Sequence, residues 1–165
     1  MLQEKSFLQV ENLSVEYVTR DETVYAVNNV SLKLEKGKVL GLVGETGAGK
    51  TTIARTILRV LQEPPAEIRS GEVWLDGVNL LELSEEEMCK VRGKRISMIF
   101  QDPMTSLNPV MSVGSQIAEV IALHDDLPKD QVRRQAEKML ETVGIPAERY
   151  GEYPHQFSGG MKQRV

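Results

Sequence analysis

A single cysteine, Cys89, stands among 165 residues, so an internal disulfide and a multi-cysteine metal site are both excluded within them. With no histidine near it in sequence, Cys89 reads as a small side chain on a helix and not as a nucleophile. Aromatic residues make up only 5%, and the 27% that are charged intersperse both signs, which is ordinary for a folded globular domain. Positive charge is not in excess. Twenty Lys and Arg against 24 Asp and Glu leave a net charge of −4, without the electrostatic footprint of a DNA- or RNA-binding protein. No apolar run reaches the roughly 20 residues of a membrane span, and Met1-Leu2-Gln3-Glu4-Lys5 begins no signal-peptide core. The chain is expected to stay in the cytoplasm, with any membrane link passing through a protein partner.

What is present is a phosphate-binding pattern. Gly44-Glu45-Thr46-Gly47-Ala48-Gly49-Lys50-Thr51 fits GxxxxGK(S/T). Val39 to Val43 ahead of it is short and apolar enough for a buried parallel strand, and Lys50 onward, through Ile53 to Leu61, reads as a helix. Glycines let successive backbone N–H groups turn inward, making an anion nest at a helix start. Lys50 is then placed to reach β- and γ-phosphates, and the Thr51 hydroxyl to ligate Mg²⁺, with Thr52 a weaker candidate for the α-phosphate. The loop alone does not separate kinases, GTPases and transport ATPases.

Around the loop, Phe7 to Tyr17 and Tyr25 to Leu34 read as strands of a small antiparallel β subdomain. Pro64-Pro65 stops the helix, and Gly71 to Leu80 reads as a hairpin turning at Asp76-Gly77. Ser84 with Glu87 forms a capping box for a helix over Glu85 to Val91, whose acidic first turn suits the helix dipole and needs no metal. Arg95 to Phe100 is expected as a strand ending at Gln101. Helices follow over Val113 to His124, after Ser112, and Lys129 to Val143, after Pro128. The second places Val132, Ala136, Met139, Leu140 and Val143 on one face. Trp74, Met98, Met111 and Met139 are expected in the core, and His155 and His124 carry no expected role.

Three motifs in order, the P-loop, Ile99-Phe100-Gln101-Asp102-Pro103 and Phe157-Ser158-Gly159-Gly160-Met161, make the chain resemble the nucleotide-binding subunits of ABC transporters from end to end. The resemblance implies an α/β fold: a P-loop NTPase (RecA-like) core with an antiparallel β subdomain and an inserted helical subdomain. It divides the chain into residues 1–101 (β subdomain and core), 102–157 (helical subdomain) and 158–165 (signature motif and start of its helix). Gln101 would be the Q-loop glutamine, whose amide oxygen can serve Mg²⁺. Ser158, Gly159 and Gly160 would cap the ATP held by a second subunit, using exposed N–H groups and a hydroxyl. Tyr17 matches the aromatic that stacks on adenine, with Tyr25 the competing choice.

Met161 in place of the commoner glutamine, Tyr153-Pro154-His155-Gln156 before it, and Gln101 to Pro109 resemble the oligopeptide, dipeptide and nickel importer branch. Expected partners are a second ATPase subunit, transmembrane permeases and, indirectly, an extracytoplasmic binding protein, at the cytoplasmic face of the membrane. The cargo stays open among dipeptides, longer peptides, nickel and glutathione. A soluble ABC ATPase, a small-molecule kinase and a non-hydrolysing ATP-binding module are the competing functions. The family's Walker B carboxylates and switch histidine fall after the signature motif and are not found in these residues. The chain is therefore expected to be part of a longer ATPase subunit and not to hydrolyse ATP alone.

Overall fold

A computed structural model describes residues 6–100 and 105–165. The chain forms two compact units, Met1–Met98 and Ile99–Val165.

The first unit is built on an antiparallel sheet of order β2-β1-β3-β4: β1 Leu8–Val18, β2 Thr23–Leu34, β3 Ala66–Leu75 and β4 Val78–Asn79. Central β1 does not alternate strictly, because its pairing with both neighbours shifts register around Asn12 and Leu13. Asn12 takes a φ of 48°, a bulge conformation that turns Leu13 inward after Val10, so Val10, Leu13 and Val15 are all buried. Opposite the bulge, Gly71 has a φ of 107°, and a Cβ there would lie 2.5 Å from the Leu13 Cα. The β3–β4 hairpin turns at Asp76-Gly77, both at positive φ (51° and 82°), as a two-residue turn of this hand requires.

Two helices complete this unit, α1 (Lys50–Ile57) and α2 (Glu85–Val91). Ile53 and Ile57 of α1 and Met88 and Val91 of α2 enter one core with Val10, Leu13, Val15, Val73, Leu75 and Leu80. The expected capping box is present: the Ser84 backbone N–H donates to Glu87 at 2.8 Å, and Ser84 Oγ accepts from the Glu87 N–H at 3.3 Å. The Ser84 backbone N–H and its hydroxyl, which donates to the same carboxylate at 2.8 Å, hold the Glu87 carboxyl below its usual 4.5. Hydrogen bonding from Arg92 lowers Glu85 in the same way.

In the second unit, α3 (Val113–His124) and α4 (Lys129–Thr142) are followed by two short 3-10 turns, Ala147–Gly151 and Pro154–Gln156, and then by α5 (Gly159–Arg164). Ser112 caps α3 as expected, accepting from the Ser115 N–H at 3.3 Å. Gly144, at a φ of 72°, lets the chain leave α4 so that Ile145 can bury itself against Val113, Leu140 and Phe157.

Several expectations are corrected. Val39 to Val43 and Arg95 to Phe100 form no strand among the described residues, and Val39, Val43 and Ile99 are at least 90% exposed. Their apolar composition favours a buried strand, but a strand exists only through a neighbour that takes its backbone hydrogen bonds, and no described segment does so. Ile96 forms an isolated bridge with Arg92 and packs against the core without extending a strand. Helix α1 stops at Ile57 and not at Leu61, because Arg59 takes a φ of 51°. The hairpin's second strand stops at Asn79, whose side chain turns back to the Val73 and Leu81 N–H groups. Helix α5 begins at Gly159, inside the signature motif, with Ser158 as its N-cap. Met139 is half-exposed, and Trp74, Met98 and Met111 are only partly buried. The methionine that fills the core is Met88.

Gly114 on α3 faces the Tyr150 ring so closely that a Cβ would lie 2.2–2.6 Å from three ring atoms. A Gly-to-Ala change gains about 1 kcal/mol of helix propensity, but overpacking of this kind costs about 1–3 kcal/mol, and the clash is with the body of the ring. Gly114→Ala is therefore expected to lower the unfolding free energy of the second unit by about 1–2 kcal/mol in a denaturant titration; an unchanged or raised value contradicts the close packing.

Candidate functional site: the phosphate loop

The glycine loop runs from Gly44 into the first turn of α1. Gly47 and Gly49 hold positive φ values of 86° and 80°, and Gly49 is the N-cap with no side-chain bond closing the helix start. The first N–H groups of a helix have no partner within it, so an uncapped start leaves donors for a ligand. Gly49 is tightly constrained: a Cβ would lie 2.2 Å from the Ala26 carbonyl oxygen of β2. The loop is thereby pressed against the sheet at one residue, and only glycine fits.

Lys50 turns back over the loop, its Nζ donating to the Gly44 carbonyl at 2.7 Å and the Glu45 carbonyl at 2.5 Å. The Ala48 N–H donates to the Glu45 carbonyl at 3.2 Å, closing a tight turn over Thr46 and Gly47. The ammonium is thus held at the mouth of the loop by two neutral acceptors. A phosphate oxygen is a stronger acceptor for that ammonium than a carbonyl, since both partners are then charged.

The two threonines after Lys50 face opposite ways. Thr51 is exposed, whereas Thr52 is 8% exposed and shares a hydrogen bond of 3.3 Å with the Tyr17 hydroxyl. Tyr17 lies where β1 pairs with Ala66 of β3 and Val24 of β2, so the end of the sheet meets the first turn of α1. Tyr25, the alternative aromatic, is 70% exposed. Below Thr52 the Thr56 hydroxyl, fully buried, donates to the Thr52 carbonyl at 2.8 Å. The Tyr17–Thr52 bond spans 35 residues, and no local pattern announces it.

The second expected site is in the other unit. Phe157, 5% exposed, packs with Val113, Leu140 and Ile145, while Ser158, Gly159 and Gly160 after it are exposed. Ser158 Oγ accepts from the Met161 N–H at 3.4 Å, which leaves its proton free to donate outward. A Cβ on either glycine would meet nothing within 4 Å, so these residues present open backbone. Arg164 fastens α5 to the end of α4 through the Val143 carbonyl at 2.8 Å. Gln101, the expected Q-loop residue, lies outside the described residues, as do Asp102 and Pro103. Among the described residues no group of three or more His, Cys, Asp or Glu is arranged to hold a metal.

A family model of ABC transporters matches residues 27–165. The chain belongs to the ABC transporter family. It is 44% identical to the oligopeptide transport ATP-binding protein OppD of Bacillus subtilis (strain 168), over all of this chain and 47% of that protein. It is 48% identical to the dipeptide transport ATP-binding protein DppD of Lactococcus lactis subsp. cremoris, over 98% of this chain and 47% of that one. The chain thus spans about half the length of these relatives. Among solved structures, it shares the fold of the ATP-binding cassette MJ0796 in a dimeric post-hydrolysis state bound to ADP and Pi, at 23% identity and a TM-score of 0.77, covering 95% of this chain and 66% of that one. The ABC cassette fold follows, with its P-loop NTPase core.

Gly49→Ala, strained in φ and driven into the Ala26 carbonyl, is expected to weaken binding of a fluorescent ATP analogue by about 100-fold. Gly47→Ala meets no neighbour and loses only its φ, which predicts about 10-fold. Equal, small losses for both contradict the close approach at Gly49.

Proposed function

We propose that this chain is the nucleotide-binding part of an ATPase subunit that drives import of peptides through an ABC transporter. The observation that carries the proposal is Lys50 poised on two carbonyls over a glycine turn whose helix start is left uncapped. Gly44 to Thr51 wrap the phosphates of ATP, and Lys50 exchanges the Gly44 and Glu45 carbonyls for β- and γ-phosphate oxygens. Thr51, exposed beside it, is the hydroxyl for Mg²⁺. Phosphate oxygens and water suit the remaining positions of a Mg²⁺ ion. Gln101 is assigned to the same cation. Tyr17, tied by its hydroxyl to the first turn of α1, is better placed than Tyr25 to stack on adenine.

Ser158, Gly159 and Gly160 serve a γ-phosphate from outside. Open backbone and a free hydroxyl proton suit an anion delivered on the surface of another subunit, so two subunits facing head to tail complete two sites. Peptides are favoured as cargo because relatives named for oligopeptide and dipeptide transport match nearly all of the chain. Because the relatives are named as transport ATP-binding proteins, membrane passage is assigned to permease partners, with the ATPase at the cytoplasmic face; no helix among the described residues is long and apolar enough to cross a membrane. Exposed Val110, Val120 and Leu123 of the helical unit offer apolar surface for such a partner.

In the full-length subunit, Lys50→Ala is expected to lower ATP turnover by at least about 100-fold. Turnover equal to wild type contradicts the ATPase reading. ATP is also expected to shift the non-hydrolysing Lys50→Ala protein less toward a dimer than wild type, as followed by light scattering.

A further inference from the structure

The open start of α1 raises the question of what keeps so short a helix formed. Eight residues are marginal for an isolated helix, and its N-cap contributes no side-chain bond. The opposite end is bonded with unusual completeness. Arg92, the C-cap of α2, donates from Nε to the Leu58 carbonyl at 2.7 Å and from Nη2 to the Arg59 carbonyl at 2.8 Å. Its remaining nitrogen, Nη1, pairs with Glu85. Arg59, turned out of the helix by its positive φ, sends its own guanidinium to the Leu83 carbonyl at 2.5 Å and the Leu80 carbonyl at 3.3 Å. Glu85 lies 3.8 Å from Arg59 as well, so one carboxylate orients both guanidiniums.

We propose that Arg92, oriented by Glu85, is a positioning residue for nucleotide binding: it clamps the C-terminal end of α1 and so holds the phosphate loop at the other end in its receptive form. The clamp places positive charge where the helix dipole is negative and satisfies carbonyls that the helix leaves open. Fastening α2 to the sheet does not require it, because Met88 and Val91 already bury α2 in the core. The groups that lose a partner when Arg92 is removed are Glu85 and the two carbonyls at the end of α1. A lysine cannot replace it, since one ammonium does not reproduce the planar fork that spans two carbonyls and a carboxylate.

The proposal rests on the reading of Gly44 to Thr51 as the phosphate site, and the test separates the two. In the full-length subunit, Arg92→Ala is expected to raise KM for ATP about 10-fold with kcat little changed, the pattern of lost ground-state binding. Amide exchange at Thr51 to Ala54 should speed up while Val10 and Val73 of the sheet stay protected. Arg92→Lys should recover only part of the loss, and Glu85→Gln, which keeps the arginine but frees it, should raise KM about 3-fold. If Arg92→Ala does not accumulate as folded protein, Glu85→Gln carries the test. An unchanged KM in these variants overturns the clamp, as does faster exchange across the whole sheet, which marks a merely structural role. If Lys50→Ala leaves nucleotide binding intact, the phosphate-site reading itself fails.

Discussion

The contact between Gly49 and the Ala26 carbonyl is the constraint on which the site depends. It leaves no room for a side chain at Gly49, the N-cap of α1, whose backbone is left-handed. Because Ala26 belongs to β2, the phosphate loop is positioned against the sheet. Lys50, one residue on, can then fold back onto Gly44 and Glu45.

The two ends of α1 are treated in opposite ways. Its start is bare, which suits a ligand that brings negative charge, and its end is covered by the Arg92 guanidinium. Between them Ile53 and Ile57 bind the helix to the core, and Thr52 joins it to Tyr17. Hydrophobic burial alone fixes which face of a helix points inward but permits it to slide or rotate a little. The directional bonds at Tyr17 and Arg92 restrict that freedom, as a site meant to match a fixed phosphate geometry requires.

Local chemistry was legible in the sequence wherever a feature is completed within a few residues. The Ser84–Glu87 box, the Asp76-Gly77 turn, the Ser112 cap and the glycine spacing of the P-loop all belong to this class. Features completed by distant partners were not. Val39 to Val43 has a strand's composition yet forms no strand among the described residues, because pairing is a property of two segments. Met139 falls on the apolar face of α4 by periodicity but stands half-exposed beside buried Leu140. Arg92 gave no signal, since its acceptors lie 33 and 34 residues away and any arginine has the same composition.

The central claim is that Gly44 to Thr51 receives the phosphates of a nucleotide. Its most direct test is a titration of Mg·ATP into isotopically labelled protein, following every backbone amide by NMR. The largest shifts should fall on the N–H groups of Gly47, Gly49, Lys50 and Thr51, with Tyr17 also responding. Saturable shifts centred elsewhere, or none at these amides, would contradict the account.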